Sequence, residues 1–105
     1  MNAGELRHRV KIQQKSVTRD SFGAESVTWS DVATVWAVVE PLRGREFFGA
    51  QQVNAEVTTR IRIRYRSGVV PTMRALYGSR VYDIQSVINL DERNRELQLM
   101  CKEVV

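Results

Sequence analysis

Thr59-Arg60-Ile61-Arg62-Ile63-Arg64-Tyr65-Arg66 alternates an arginine with a large apolar or aromatic residue without a break. Successive side chains of an extended strand point to opposite faces, so this stretch predicts a strand with one buried side. Ile61, Ile63 and Tyr65 form an apolar wall, and Arg60, Arg62, Arg64 and Arg66 line the other face. Same-face neighbours sit roughly 7 Å apart and repel by about 0.6 kcal/mol per pair in water, less in salt. The row is a solvated face, a nucleic-acid track, or an interface that meets carboxylates. Arginine's planar five-donor fork suits carboxylate or phosphate pairing.

Working outward, Val53 to Arg66 reads as the chain's longest strand, ended by Ser67 and Gly68 with Pro71 just beyond. Before it, Pro41, Gly44 and Gly49 bracket Arg43 to Gln52, where alternation is lost and one or two helical turns are expected. Further upstream, Ser26 to Trp29 and Thr34 to Leu42 are strand segments interrupted near Ser30 and Asp31. The run Val35 to Val39 is apolar on both faces and predicts a central strand. Arg7 to Lys15 repeats the alternation more weakly, with His8, Val10 and Ile12 on one side. Asp20, Ser21 and Gly23 predict a chain reversal between these strands. Downstream, Met73 to Tyr77, Arg80 to Asn89 and Arg95 to Val104 read as a meander with Leu97, Leu99 and Cys101 inward. The expected fold is mainly β: a small antiparallel barrel or sandwich of about six strands, with one short helix in the insertion between the central strands.

The 105 residues suffice for one domain with its own core, spanning residues 1 to 105. A net charge of +4 and a pI of about 9.7 point to an acidic partner, nucleic acid or protein, without choosing between them. The single cysteine, Cys101, excludes an intramolecular disulfide and suits a reducing compartment. No stretch has the apolar length of a signal peptide or a membrane span, so synthesis in the cytoplasm is expected.

No reaction centre is legible. His8 is expected to be a packed histidine on an inward strand face, and Cys101 a buried, inert thiol. The sequence contains no GxGxxG, GxxxxGK[ST] or HExxH motif and no Cys or His pair at metal-ligand spacing. An enzyme, a cofactor and a metal are therefore not expected. Trp29 and Trp36 are expected in the core rather than as stacking platforms for bases. Phe47 and Phe48 fall in the insertion, where they either form an exposed contact surface or pin the insertion to the barrel.

The order of landmarks resembles the phage head-tail joining family, the head-tail adaptor, head completion or stopper proteins of long-tailed phages. The resemblance starts at Gly4-x-Leu6-x-x-Arg9-Val10 and passes through Asp20-x-x-Gly23, Trp29, Val35-Trp36-Ala37-x-Val39 and Gly44-x-Glu46. It reaches Ile61-x-Ile63-Arg64-Tyr65 and closes with Met73-Arg74, Gly78-x-Arg80-x-Tyr82-x-Ile84-x-x-Val87-x-Asn89 and Asn94-Arg95-x-Leu97-x-Leu99-x-Cys101. Each piece alone is unspecific; their order and spacing are not.

The resemblance implies a structural virion protein of a phage or prophage, assembled as a ring of about twelve copies at the head-tail connector, a reading with which a monomer in isolation is compatible. The ring would close the DNA-filled head and offer a docking surface to the tail, with portal and adaptor proteins as further partners and no membrane. Pro41, Leu42, Arg43, Gly44, Arg45, Glu46, Phe47 and Phe48 are then the expected channel-closing loop, in transient contact with double-stranded DNA. Many copies of Arg60, Arg62, Arg64 and Arg66 lining a channel would hold DNA rather than pass it. The row is therefore expected to meet acidic groups of a neighbouring subunit or adaptor. The alternative is a basic, OB-like barrel that binds single-stranded nucleic acid.

Overall fold

The computed structural model describes Gly4 and residues 6–53 and 56–104. Six antiparallel strands close into a barrel in the order β1-β2-β3-β6-β5-β4. They are β1 (His8–Arg19), β2 (Glu25–Pro41), β3 (Thr59–Arg64), β4 (Arg74–Tyr77), β5 (Arg80–Asn89) and β6 (Glu96–Val104), with α1 (Gly44–Val53) between β2 and β3. The expected fold is thus present, as the barrel. The longest strand is β2, at 17 residues, whereas β3 has six. Val53 closes α1 instead of opening β3, because the insertion's helical turns run further than its glycines suggest.

Alternation decides what the barrel encloses. Val10 and Ile12 from β1, Ala37 from β2, Ile61 and Ile63 from β3, and Leu97, Leu99 and Cys101 from β6 are all buried. Ala75, Tyr82 and Ile84 complete the ring from β4 and β5, and Val69 and Met73 close in from the β3–β4 loop. Each large side chain taken from water stabilises the fold by about 1.5–3 kcal/mol. Tyr65 is a correction to the apolar wall: β3 leaves its ladder with β2 after Ile63↔Ala37, and Tyr65 is 41% exposed.

The expected break near Ser30 and Asp31 is a bulge in a continuous strand. Ile12 pairs with Ala33 but Gln13 with Asp31, which leaves Val32 as the extra residue. Past the bulge, β1 and β2 pair only with each other, over Gln14↔Ser30 to Arg19↔Glu25, and run out as a two-stranded arm. Six residues of strand span about 20 Å. The molecule measures 49 × 29 × 28 Å, so its long axis exceeds the others by about that length. At the tip, Asp20 Oδ1 accepts from the backbone N–H of Phe22 and of Ala24, both at 2.9 Å. Gly23 takes φ +83°, the left-handed conformation this reversal requires.

The tryptophans are the second correction, since neither belongs to the core. Trp36 points away from the side that buries Ala37 and is 50% exposed, with the Arg9 guanidinium 4.8 Å above its ring. Trp29 lies beyond the bulge, on the arm's outer face, under Arg74 at 4.1 Å. Alternation and the bulge override the general preference of tryptophan for burial, and arginine stacking covers the rings instead.

Candidate functional site

β3 holds Arg60, Arg62 and Arg64 on the barrel's outer face, between β2 and β6, and Arg66 lies two residues past its end. Arg60 stands opposite Glu40 and Arg64 opposite Glu96. The Arg60 Nε donates to Glu40 Oε1 at 3.2 Å, and its Nη1 to Glu46 Oε1 at 3.4 Å. Arg62 lies 3.6 Å from Glu40 and 3.3 Å from Glu96, whose residue exposure is only 8%. Burial works against the Arg60 charge, but hydrogen bonding and attraction from Glu40, then Glu46, outweigh it and raise its pKa. Two of the four arginines therefore meet carboxylates of their own chain. Arg64 and Arg66 differ: both are exposed, and among the described residues neither makes an ion pair.

The insertion is built as an excursion with a fixed base. Leu42 is buried, and its N–H donates to the Thr58 carbonyl at 3.0 Å; the Thr58 N–H donates in turn to Cys101 at 2.9 Å. Gln51 donates to the Val57 carbonyl on the return. Between these clamps α1 stands off the barrel, since among the described residues it makes at most isolated contacts with any strand. Gly44 enters the helix at φ +56°, a turn that a β-carbon would strain. Phe47 is half-buried and sets its ring edge against Phe48, 5.8 Å away; Phe48 is 68% exposed. The insertion thus presents an aromatic surface, with Arg43 and Arg45 exposed beside it.

The two candidate groups meet at one point, because Glu46 of α1 is held by Arg60 of β3. Sequence reading singled out both residues but not their pairing, which joins positions 14 apart across a helix. Glu40 and Glu96 carried no sequence signal either; only strand register brings them beside the row.

The remaining candidates are structural. His8 sets its ring edge-on to Tyr77 at 4.7 Å. Cys101 is fully buried, and that burial pushes its thiol up to about 12, with Asp83 adding to the shift. Among the described residues no group of three His, Cys, Asp or Glu side chains is placed to hold a metal. No helix among the described residues is long and apolar enough to cross a membrane.

Beside the row lies a cleft of about 610 Å³, lined by Leu6, Val35, Trp36, Arg64, Tyr65 and Arg66. It opens where β3 parts from β2, so two half-exposed aromatic rings and two exposed guanidinium groups surround it. Sequence reading had assigned Trp36 and Tyr65 to the interior and so missed it.

A model of the phage head completion protein family matches residues 1–104. The chain belongs to that family. It is 30% identical over 108 residues to head completion protein gp7 of Enterobacteria phage HK97, covering 97% of this chain and 96% of gp7. Among solved structures, protein SF1141 from Shigella flexneri 2a is 33% identical, with a TM-score of 0.75 over 98% of this chain and 96% of that one. A chain from the virion of a native gene transfer agent particle shares the fold at 21% identity and a TM-score of 0.64, over 95% and 96% of the two chains. Family membership supports a structural role at the phage head-tail junction, in agreement with the resemblance read from the landmarks.

Proposed function

We propose that this protein is a non-enzymatic subunit of a virion ring at the head-tail connector, which closes the DNA-filled head and gives the tail a docking surface. The observation that carries this reading is the family match along residues 1–104, essentially the whole chain. The segment Pro41 to Phe48 is the channel-closing element. In support, α1 is anchored at its base, stands off the barrel and exposes Phe48. Self-pairing of Arg60 and Arg62 also suits a passage for DNA, because guanidinium groups held by carboxylates release fewer counterions from passing phosphates.

The test uses phage heads assembled without this protein. They should leak DNA and fail to join tails, and purified protein should restore both. Heads that retain DNA and take tails without it would refute the reading. The cleft formed by Trp36, Tyr65, Arg64 and Arg66 supports a second reading, a single-strand binder that stacks bases on aromatic rings. Salt-dependent oligonucleotide binding by the monomer, with normal heads in its absence, would favour that alternative.

A further inference from the structure

The arm is a two-faced ribbon. On one side lie Gln14, Ser16, Thr18, Ser26, Thr28 and Ser30, all polar. On the other, Val17 faces Val27 and Lys15 faces Trp29, because the bulge at Val32 brings the odd-numbered residues of both strands onto the same side. Val17 is 49% exposed, Val27 54% and Phe22 at the tip 95%. A two-stranded hairpin standing alone is marginally stable in water, and an apolar face rimmed by polar residues marks a contact surface.

The chain also carries a cleft suited to that tip. Its walls are apolar and aromatic, and its charge comes from Arg64 and Arg66. The tip offers one large aromatic ring, with Asp20 and Glu25 beside it and Arg19 already bound to Glu25 at 2.7 Å. This leaves the Asp20 charge without a cationic partner among the described residues. The arm cannot reach its own cleft: Trp36 of the cleft pairs with Arg9, five residues inside the arm's first rung at Gln14, and the tip stands about 30 Å away on a paired, extended ribbon.

We infer that Phe22 at the tip of one copy's arm docks in the Leu6, Trp36 and Tyr65 cleft of the next copy, with Arg64 and Arg66 facing Asp20. The two patches differ, so the contact is head-to-tail, and a head-to-tail contact repeated with a closing rotation makes a ring. This inference rests on the ring reading above and names the contact that would build the ring.

The test is a Ser21→Cys/Ser67→Cys protein assembled on phage heads and treated with a short bis-maleimide. Both positions are exposed, and the native Cys101 is buried. The expected result is a ladder of covalent multimers that neither single-cysteine protein gives. In parallel, Phe22→Ser and Arg66→Glu should each lower incorporation into heads tenfold or more, with unchanged melting of the isolated protein. Protein incorporated in multiple copies with no ladder would overturn this contact and leave the ring standing. Particles holding a single copy or none would overturn the ring and the contact together. Full incorporation of Phe22→Ser, or oligonucleotide binding abolished by Arg66→Glu in place of cross-linking, would also overturn it.

Discussion

Arg62 lies inside β3 and Arg66 two residues past its end, and the two answer to different partners. Arg62 faces Glu96, a carboxylate with little access to water, so Arg62→Gln should leave a charge buried beside a weaker partner. The expected loss is about 1–3 kcal/mol, read as a lower urea midpoint. Arg66→Gln should stay within about 0.5 kcal/mol, since its side chain is solvated. Equal effects would mean that the row acts as one electrostatic unit. Cys101 gives a second check. With its pKa at about 12, about one thiol in ten thousand is ionised at pH 8, so maleimide should label it only after unfolding, as mass spectrometry can show.

At the level of elements, two side chains tether α1: Glu46 to Arg60 and Gln51 to the Val57 carbonyl. Glu46 is mostly exposed, and an exposed ion pair contributes about 0.2–1 kcal/mol. Glu46→Gln should therefore speed amide exchange in α1 by about two- to fivefold and leave β3 and β6 unchanged. Acceleration in β3 as well would mean that helix and barrel open together. The element order was legible beforehand because strand alternation is local: Ile61 and Ile63, like Leu97, Leu99 and Cys101, announce their inward side within a few residues. The Asp20 to Gly23 reversal was legible from turn chemistry in the same way. What escaped was non-local. The extra residue Val32 shows only once the register of two strands is known, and without it Trp29 is assigned to the wrong side. Tyr65 continues the alternation in sequence but lies past the point where β2 accompanies β3. The carboxylates that neutralise Arg60 and Arg62 come from two other strands and a helix.

For the molecule as a whole, acid should be the more damaging direction of pH change. Arg80 holds the Glu103 carboxyl below its ordinary value through hydrogen bonds of 2.7 and 3.0 Å, and Gln13, then Lys11, do the same for Asp31. A carboxylate with a depressed folded pKa contributes stability above its unfolded value, about 4.3 for Glu and 3.9 for Asp, and loses it as pH falls through the folded value. The melting temperature should therefore hold nearly level from pH 7 to about 5 and fall below about pH 4. Arg80→Gln should make that acid-side decline shallower. A melting temperature that climbs on acidification would contradict the pairing.

The Val32 bulge also sets how this protein can vary in length. Adding or removing one residue on either side of the ribbon swaps inner for outer at every later position, which would scatter Val17, Val27 and Trp29 among the serines and threonines. Two residues gained on each strand restore the parity and merely carry the tip farther out. Relatives should therefore differ in reach by matched even steps, with odd insertions confined to the Asp20–Ala24 bend.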